Sequence, residues 1–358
     1  MKNYFQEPLY NLQGYVPGEQ PNDKKKIIKL NTNENPYPPS PKIKKALGDI
    51  LKKGLLKKYP NPVSKDLVLS IAKHHKVRPS MVLVTNGSDE GLALLFKAVL
   101  GKNSKIVMPY PTYSLYHVLA DLQLNSVVVE TVPLDNNLHF DFHALENSTG
   151  ELLAFAHPNA PTGIQEKKSE LLNLVKKFPG IVLSDEAYID FAPRGTSLIN
   201  SVFENENLVV SRTFSKSYSL AGLRVGYLIA NESLVDLLYK LKDSYNLGML
   251  EQLAAKVALE DTVYFEKVIN KILKQRTKLK EELEKSGFEV FPSETNFLFV
   301  KPPIKIVPEE LFLFLKENGI FIRYFKDEFC KNFLRITVGS KSENAKLMKI
   351  INKFLTTS

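Results

Sequence analysis

Between residues 81 and 230 the chain alternates short apolar runs with longer amphipathic stretches. Seven runs recur: MVLVT (81–85), KIVMP (105–109), SVVVETV (126–132), LLAFAH (152–157), IVLSD (181–185), LVVSRTF (208–214) and VGYLIA (225–230). They are short, continuous and rich in β-branched residues, the pattern of strands covered on both faces. Apolar spacing of three and four residues fills several intervals, as in 89–100 and 169–178. The alternation predicts an α/β fold: a large domain with a mainly parallel, seven-stranded sheet flanked by helices.

After residue 230 the pattern changes. Helical spacing covers 233–242 and 263–286, followed by the strand-like runs FEVFP, TNFLFV, IFIRYF and FLRITVG, with helices expected over 309–317 and 343–355. This predicts a smaller α+β domain. The first 40 residues are rich in Asn, Pro and Tyr and carry one short strand-like run at 27–30. The expected division is an N-terminal arm (1–40) packing near the small domain, a large domain (41–240) and a small C-terminal domain (241–358).

Composition narrows the class. A chain of 358 residues with one cysteine, Cys330, excludes a disulfide scaffold and a cysteine-rich zinc site. No metal site is expected. The opening ten residues contain no apolar stretch, and no run reaches the length of a membrane span, so the chain reads as a soluble cytoplasmic protein. The net charge is +9, but the lysines fall in scattered pairs and triplets rather than in a block, as at 24–26, 52–53 and 57–58. That favours a solvated basic surface, attractive to small anions, over a nucleic-acid or membrane partner.

In open α/β sheets ligands bind outside the carboxyl ends of the strands. Five of this chain's strand ends carry unusual residues. After MVLVT comes NGSDE (86–90) and then a helix, which suits a phosphate or a plain N-cap. After KIVMP comes Tyr113, a ring able to stack on a planar ligand or to pack in the core. The turn HPNAPTG (157–163) bears Asn159; His157 reads as structural, since no second metal ligand sits at helical spacing. Asp185 ends a buried strand, where an acid needs a partner or a raised pKa. Lys216 follows another buried strand, and a lysine there is able to condense with an aldehyde. A phosphate cradle, a stacking ring, an acid for a ring nitrogen and an amine for an aldehyde together match pyridoxal phosphate.

The stretch SRTFSKSYSLAGLRVGY (211–227), the SDEAY run and the PTG turn resemble the fold-type I pyridoxal-phosphate aminotransferases, with Asp185 and Lys216 31 residues apart. NTNENPYPPSP (31–41), YPNP (59–62), TNGSDE (85–90), Arg323-Tyr324-Phe325 and FLRITVGS (333–340) are similar to the histidinol-phosphate aminotransferase branch, and the likeness runs from about Tyr15 to the C-terminus. The resemblance implies that Lys216 bonds the cofactor and shuttles the proton, that Asp185 pairs with the pyridine nitrogen, and that Tyr188 bonds the ring oxygen O3′. It implies stacking by Tyr113 and phosphate binding by Ser88, Asp89, Ser215 and Arg224. It further implies a homodimer in which Tyr59 reaches the neighbouring cofactor. Arg335 would take the substrate carboxylate, with Tyr15 and Arg323 on its phosphate.

One position departs from the family pattern. The usual Asn-Pro-Thr-Gly turn has Ala160 in place of its asparagine. Either Asn159 substitutes through a shifted backbone or Tyr188 holds O3′ alone. The implied activity is transamination between L-glutamate and imidazole acetol phosphate, giving 2-oxoglutarate and L-histidinol phosphate in histidine biosynthesis. An aromatic amino-acid aminotransferase and a threonine-phosphate decarboxylase would keep the same lysine and acid. A cofactor-binding regulator without turnover is disfavoured by the absence of a DNA-binding arm.

Overall fold

The computed structural model describes residues 4, 7–10, 12, 14, 18–20, 27–124 and 127–357. Its strands are β1 (Ile28–Lys29), β2 (Val82–Thr85), β3 (Lys105–Tyr110), β4 (Val128–Pro133), β5 (Leu152–Ala156), β6 (Ile181–Asp185), β7 (Leu208–Thr213), β8 (Gly226–Ala230), β9 (Glu289–Val290), β10 (Phe297–Lys301), β11 (Ile320–Phe321), β12 (Arg323–Tyr324) and β13 (Leu334–Thr337). The helices are α1 (Lys42–Lys52), α2 (Lys65–His75), α3 (Gly87–Val99), α4 (Leu115–Asp121), α5 (Phe142–Asn147), α6 (Lys168–Lys177), α7 (Glu232–Leu241), α8 (Met249–Glu260), α9 (Thr262–Lys285), α10 (Pro308–Glu317) and α11 (Lys341–Thr357).

The seven apolar runs form one sheet in the order β2-β8-β7-β6-β5-β3-β4. All but β8 run the same way; β8 pairs antiparallel with both β2 and β7. Alternate residues of each strand face two different cores. Val82, Val84, Val107, Leu153, Phe155, Val182 and Val210 enter one, with α2 and α6. Leu83, Ile106, Met108, Leu152, Ala154, Leu183 and Val209 enter the other, with α3 and α4. Because both faces are covered, strands β2, β5 and β8 are buried along their whole length, whereas the edge strand β4 is largely exposed.

A second sheet, β12-β13-β10-β9, is antiparallel and packs on α9, α10 and α11. The run IFIRYF, read as one strand, is split. Ile320 and Phe321 pair in parallel with β1, whereas Arg323 and Tyr324 pair with β13. Ile320 and Ile322 are both buried in the small core, so the strand changes partner while its apolar side stays inside. FEVFP contributes only two paired residues, and Pro292 follows where the ladder stops.

Three helices, α1, α2 and α8, lie outside both the alternating region and the later segments whose spacing predicts helices. α1 and α2 pack against α8, which buries Ala254, Ala255, Ala258 and Leu259 in the core of the large sheet. Its apolar side is mostly alanine, so its hydrophobic contrast along the sequence is weak. The expected boundary at residue 240 falls before α8. β1 pairs with β11, and Ile28 and Leu30 lie in the core beneath the second sheet.

Phe155 is fully buried on β5, a strand inside the large sheet. Phe155→Ala is expected to cost about 3–5 kcal/mol. A urea titration read by circular dichroism should show a lower midpoint with an unchanged slope.

Candidate active site

The carboxyl ends of β2, β3, β5, β6 and β7 meet the start of β8 at one edge of the large sheet. There a cavity of about 430 Å³ is lined by Ser88, Asp89, Tyr113, Asp185, Tyr188, Ser215, Lys216, Arg224, Arg323 and Arg335, among others. Ten of the thirteen residues named from the sequence therefore share one space.

Asp185, the last residue of β6, lies on the cavity wall and is 4% exposed. Its Oδ2 accepts a hydrogen bond from the hydroxyl of Tyr116 on α4 (3.0 Å), and its Oδ1 has no partner among the described residues. Burial pushes this carboxyl up to about 7, although the Tyr116 bond pulls it down. Tyr116 was not foreseen: on the sequence it is one more aromatic on an apolar helix. A tyrosine fully buried beside the critical acid is the signal that only packing reveals.

A cradle forms where α3 begins. Gly87 stands at φ 75°, and a β-carbon there would lie 2.7 Å from Nη2 of Arg224. Gly226 is tighter still, since its β-carbon would meet the Ser88 backbone nitrogen at 2.4 Å. Both glycines therefore let the first turn of α3 sit directly on the β8 start. Arg224 is itself in the left-handed region (φ 51°) and donates to Asp89 (2.8 Å) and to the Ser215 hydroxyl (3.3 Å). The result is a helix N-terminus, a serine hydroxyl and a guanidinium facing one small volume.

Lys216 leaves the end of β7 and donates from Nζ to the carbonyl of Thr32 (2.9 Å). The turn that carries it is held from both sides. Asn35 Nδ2 donates to the carbonyls of Lys216 (3.0 Å) and Ser217 (3.2 Å). Beneath it Arg212 bridges Glu186 (3.4 Å) and Asp190, and Asp190 accepts from the Ser217 hydroxyl (2.5 Å). Tyr188 lies 5.8 Å from Lys216 Nζ, ring centre to nitrogen, and its hydroxyl accepts from Asn33 Nδ2 (2.9 Å). That leaves the Tyr188 proton available to a ligand. Asn33 and Asn35 belong to the NTNENP run, whose asparagines had no assigned role.

The second sheet contributes the arginines. Arg323 on β12 and Arg335 on β13 are register partners, so both reach the same wall. Arg335 donates to the Asn31 carbonyl (3.0 Å), and both guanidiniums lie over the Phe325 ring, at 5.3 and 5.6 Å.

Of the remaining three, Asn159 is not brought to this space and Tyr59, expected at a neighbouring cofactor, lies outside it. Asn159 is 1% exposed but does not line the cavity; Ala160 and Pro161 do. Its Nδ2 is spent on the Pro111 carbonyl and the Thr162 hydroxyl, both at 3.1 Å, so it closes its own turn and does not replace the missing asparagine. Tyr59 is 78% exposed, away from the chain's own cavity, and stacks on Tyr245 with ring centres 4.5 Å apart. Tyr15 lies outside the described residues. His157 is buried, and burial pushes its ring down to about 4, so it is neutral at ordinary pH.

The donor set fits pyridoxal phosphate: the cradle of Gly87, Ser88, Ser215 and Arg224 suits the phosphate, and the unpartnered Asp185 Oδ1 suits a protonated ring nitrogen. Fold and site define an enzyme that moves groups through that cofactor. The chain belongs to the family described as aminotransferase class I and II, which matches residues 25–351. Histidinol-phosphate aminotransferase of Clostridium beijerinckii is 41% identical over 351 residues, covering 96% of this chain and 95% of that one. Histidinol-phosphate aminotransferase of Syntrophus aciditrophicus is 39% identical, over 96% of both chains. Among solved structures, histidinol-phosphate aminotransferase from Sinorhizobium meliloti in complex with pyridoxal-5'-phosphate superposes with a TM-score of 0.89 at 23% identity, over 100% of this chain and 99% of that one. No described helix is long and apolar enough to cross a membrane.

The Asp185 environment has a measurable cost. Its carboxyl titrates near 7 in the folded, cofactor-free protein and near 3.8 when unfolded. Folding therefore favours the neutral acid, and stability is lost as pH rises from about 4 to 7. Between pH 5 and 8 the cofactor-free wild type should lose roughly 2–3 kcal/mol relative to Asp185→Asn. Urea midpoints of both proteins at the two pH values check this; parallel pH dependence would contradict it.

Proposed function

We propose that the enzyme transfers an amino group from L-glutamate to imidazole acetol phosphate, giving 2-oxoglutarate and L-histidinol phosphate in histidine biosynthesis. One observation carries the reading. A single cavity joins Lys216 and Asp185 to two arginines, in a chain 41% identical over nearly its full length to a protein named for that reaction.

Bound pyridoxal phosphate supplies an electron sink for the α-carbon of the substrate. Lys216 Nζ removes the α-proton as general base and returns it as general acid. Asp185, oriented by Tyr116, holds the proton on the ring nitrogen. Tyr188 donates to O3′, its oxygen held in turn by Asn33, which fills the role that Ala160 cannot. Tyr113 would stack on the ring, while Ser88, Asp89, Ser215 and Arg224 would hold the phosphate, with Asp89 fixing the Arg224 fork.

Glutamate presents two carboxylates, and histidinol phosphate presents a phosphate. Guanidinium forks fit both groups, so Arg335 and Arg323, with Tyr15, serve either substrate. Exposed Tyr59 reaches the cofactor phosphate of a second copy, making the working unit a homodimer. The remaining assignments of this reading are a cytoplasmic location, small-molecule amino and oxo acids as the other partners, and a division into arm, large and small domains.

Two measurements test it. Purified holoenzyme, mixed with L-histidinol phosphate and no oxo acid, should lose the yellow cofactor absorbance rapidly, and L-phenylalanine should act slowly. Faster loss with phenylalanine would make it an aromatic aminotransferase, and carbon dioxide release from L-threonine phosphate would make it a decarboxylase. Arg335→Lys keeps the charge but loses the fork, and kcat/KM for L-histidinol phosphate should fall at least about tenfold. Unchanged turnover would remove Arg335 from the site.

A further inference from the structure

One wall of the cavity has no part in the mechanism above. It is formed by Tyr110 at the end of β3, His117 on α4, and Asp327 and Cys330 in the loop after β12. Asp327 Oδ1 accepts from the Cys330 backbone N–H (2.9 Å) and from the Tyr110 hydroxyl (3.4 Å). The Cys330 thiol is buried; burial, and then the Asp327 carboxylate, push its pKa well above the usual range, so it stays protonated. The carboxylate is thus fixed from the protein side by groups that carry no charge.

The charges of the cavity make this residue unexpected. Lys216, Arg224, Arg323 and Arg335 suit anionic substrates and the cofactor phosphate. Asp89 is paired with Arg224, and Asp185 faces the ring-nitrogen position. Asp327 forms no ion pair among the described residues. A carboxylate here repels both acid groups of glutamate and gains nothing from an unsubstituted phenyl ring, which would desolvate it without a donor. A ring N–H meets its need. Tyr110 offers an aromatic ring on the same wall, edge-on to His117 with centres 6.1 Å apart. His117 adds a buried Nε2 without a hydrogen-bond partner among the described residues.

We propose that Asp327 is a specificity-determining residue that accepts the N–H of the substrate's imidazole ring and so selects an imidazole-bearing amino phosphate over a phenyl-bearing amino acid. The inference rests on the function proposed above and adds the group that reads the side chain. Sites built to bond a substrate N–H reject an analogue lacking it far more strongly than apolar pockets reject a size change. Glutamate, which carries no ring, does not use this wall.

The test compares holoenzyme half-reactions of wild type, Asp327→Asn and Asp327→Ala with L-histidinol phosphate, L-glutamate and L-phenylalanine. The readout is the ratio of kcat/KM for histidinol phosphate to that for each other substrate. In Asp327→Ala both ratios should fall about 10- to 100-fold. Asp327→Asn keeps an acceptor for the Cys330 N–H, guards against loop collapse, and should lower both ratios by a smaller factor. Ratios equal to wild type in both variants overturn the proposal, whether the absolute rates hold or fall together, because a loop with only a structural role would affect all substrates alike. A wild type active on histidinol phosphate with unaltered variant ratios sinks this inference alone. A wild type inert toward histidinol phosphate sinks the underlying function as well.

Discussion

A buried carboxylate without a cationic neighbour is costly, and Asp185 is in that position. Its surroundings hold it without neutralising it. Tyr116 bonds one oxygen from α4, and the Asp185 carbonyl accepts from the His157 N–H (2.8 Å), which locks the end of β6 to the turn after β5. The other oxygen is left for a ligand that brings positive charge. The geometry therefore stores an unfavourable interaction that a protonated pyridine relieves. Cofactor binding and fold stability are coupled through that one atom, and the loaded enzyme should be the more stable by the usual linkage.

The remaining parts of the site follow from one reversal in the sheet. Because β8 runs against its neighbours, its start lies at the same edge as the ends of the others. The chain arriving at β8 can then place Arg224 beside the first turn of α3. Two glycines with no room for a side chain, Gly87 and Gly226, allow that approach. A fully parallel sheet would put the start of that strand at the opposite edge and would need another cation for the phosphate.

The large sheet was legible because strands covered on both faces leave continuous apolar runs, and all seven runs became strands. Lys216 and Asp185 were legible because charged groups at the ends of such runs need a reason. Contacts between distant segments were less so. Tyr116 and Asp327 act through neighbours 69 and 217 residues away, and nothing local marks them. Asn159 was misplaced because the sequence fixes its neighbourhood but not its rotation: one residue along a tight turn decides whether an amide faces the cavity or the turn. α8 was missed because alanine-rich packing leaves little periodic contrast.

The asparagines of the N-terminal segment also bear on the order of assembly. Asn35 binds the carbonyl of Lys216, 181 residues on, and Asn33 exchanges hydrogen bonds with Thr337, 304 residues on. β1 pairs with β11, near the other end of the chain. Contacts of such long sequence separation form late, since loop closure must precede them. On the ribosome, β1 must wait for β11 to be made, and Asn33 for Thr337. Until β12 and β13 follow, the cavity lacks Arg323 and Arg335, and the large sheet can exist without a finished site. A chain that stops before β12 thus carries Lys216 and Asp185 without the two arginines that share their cavity.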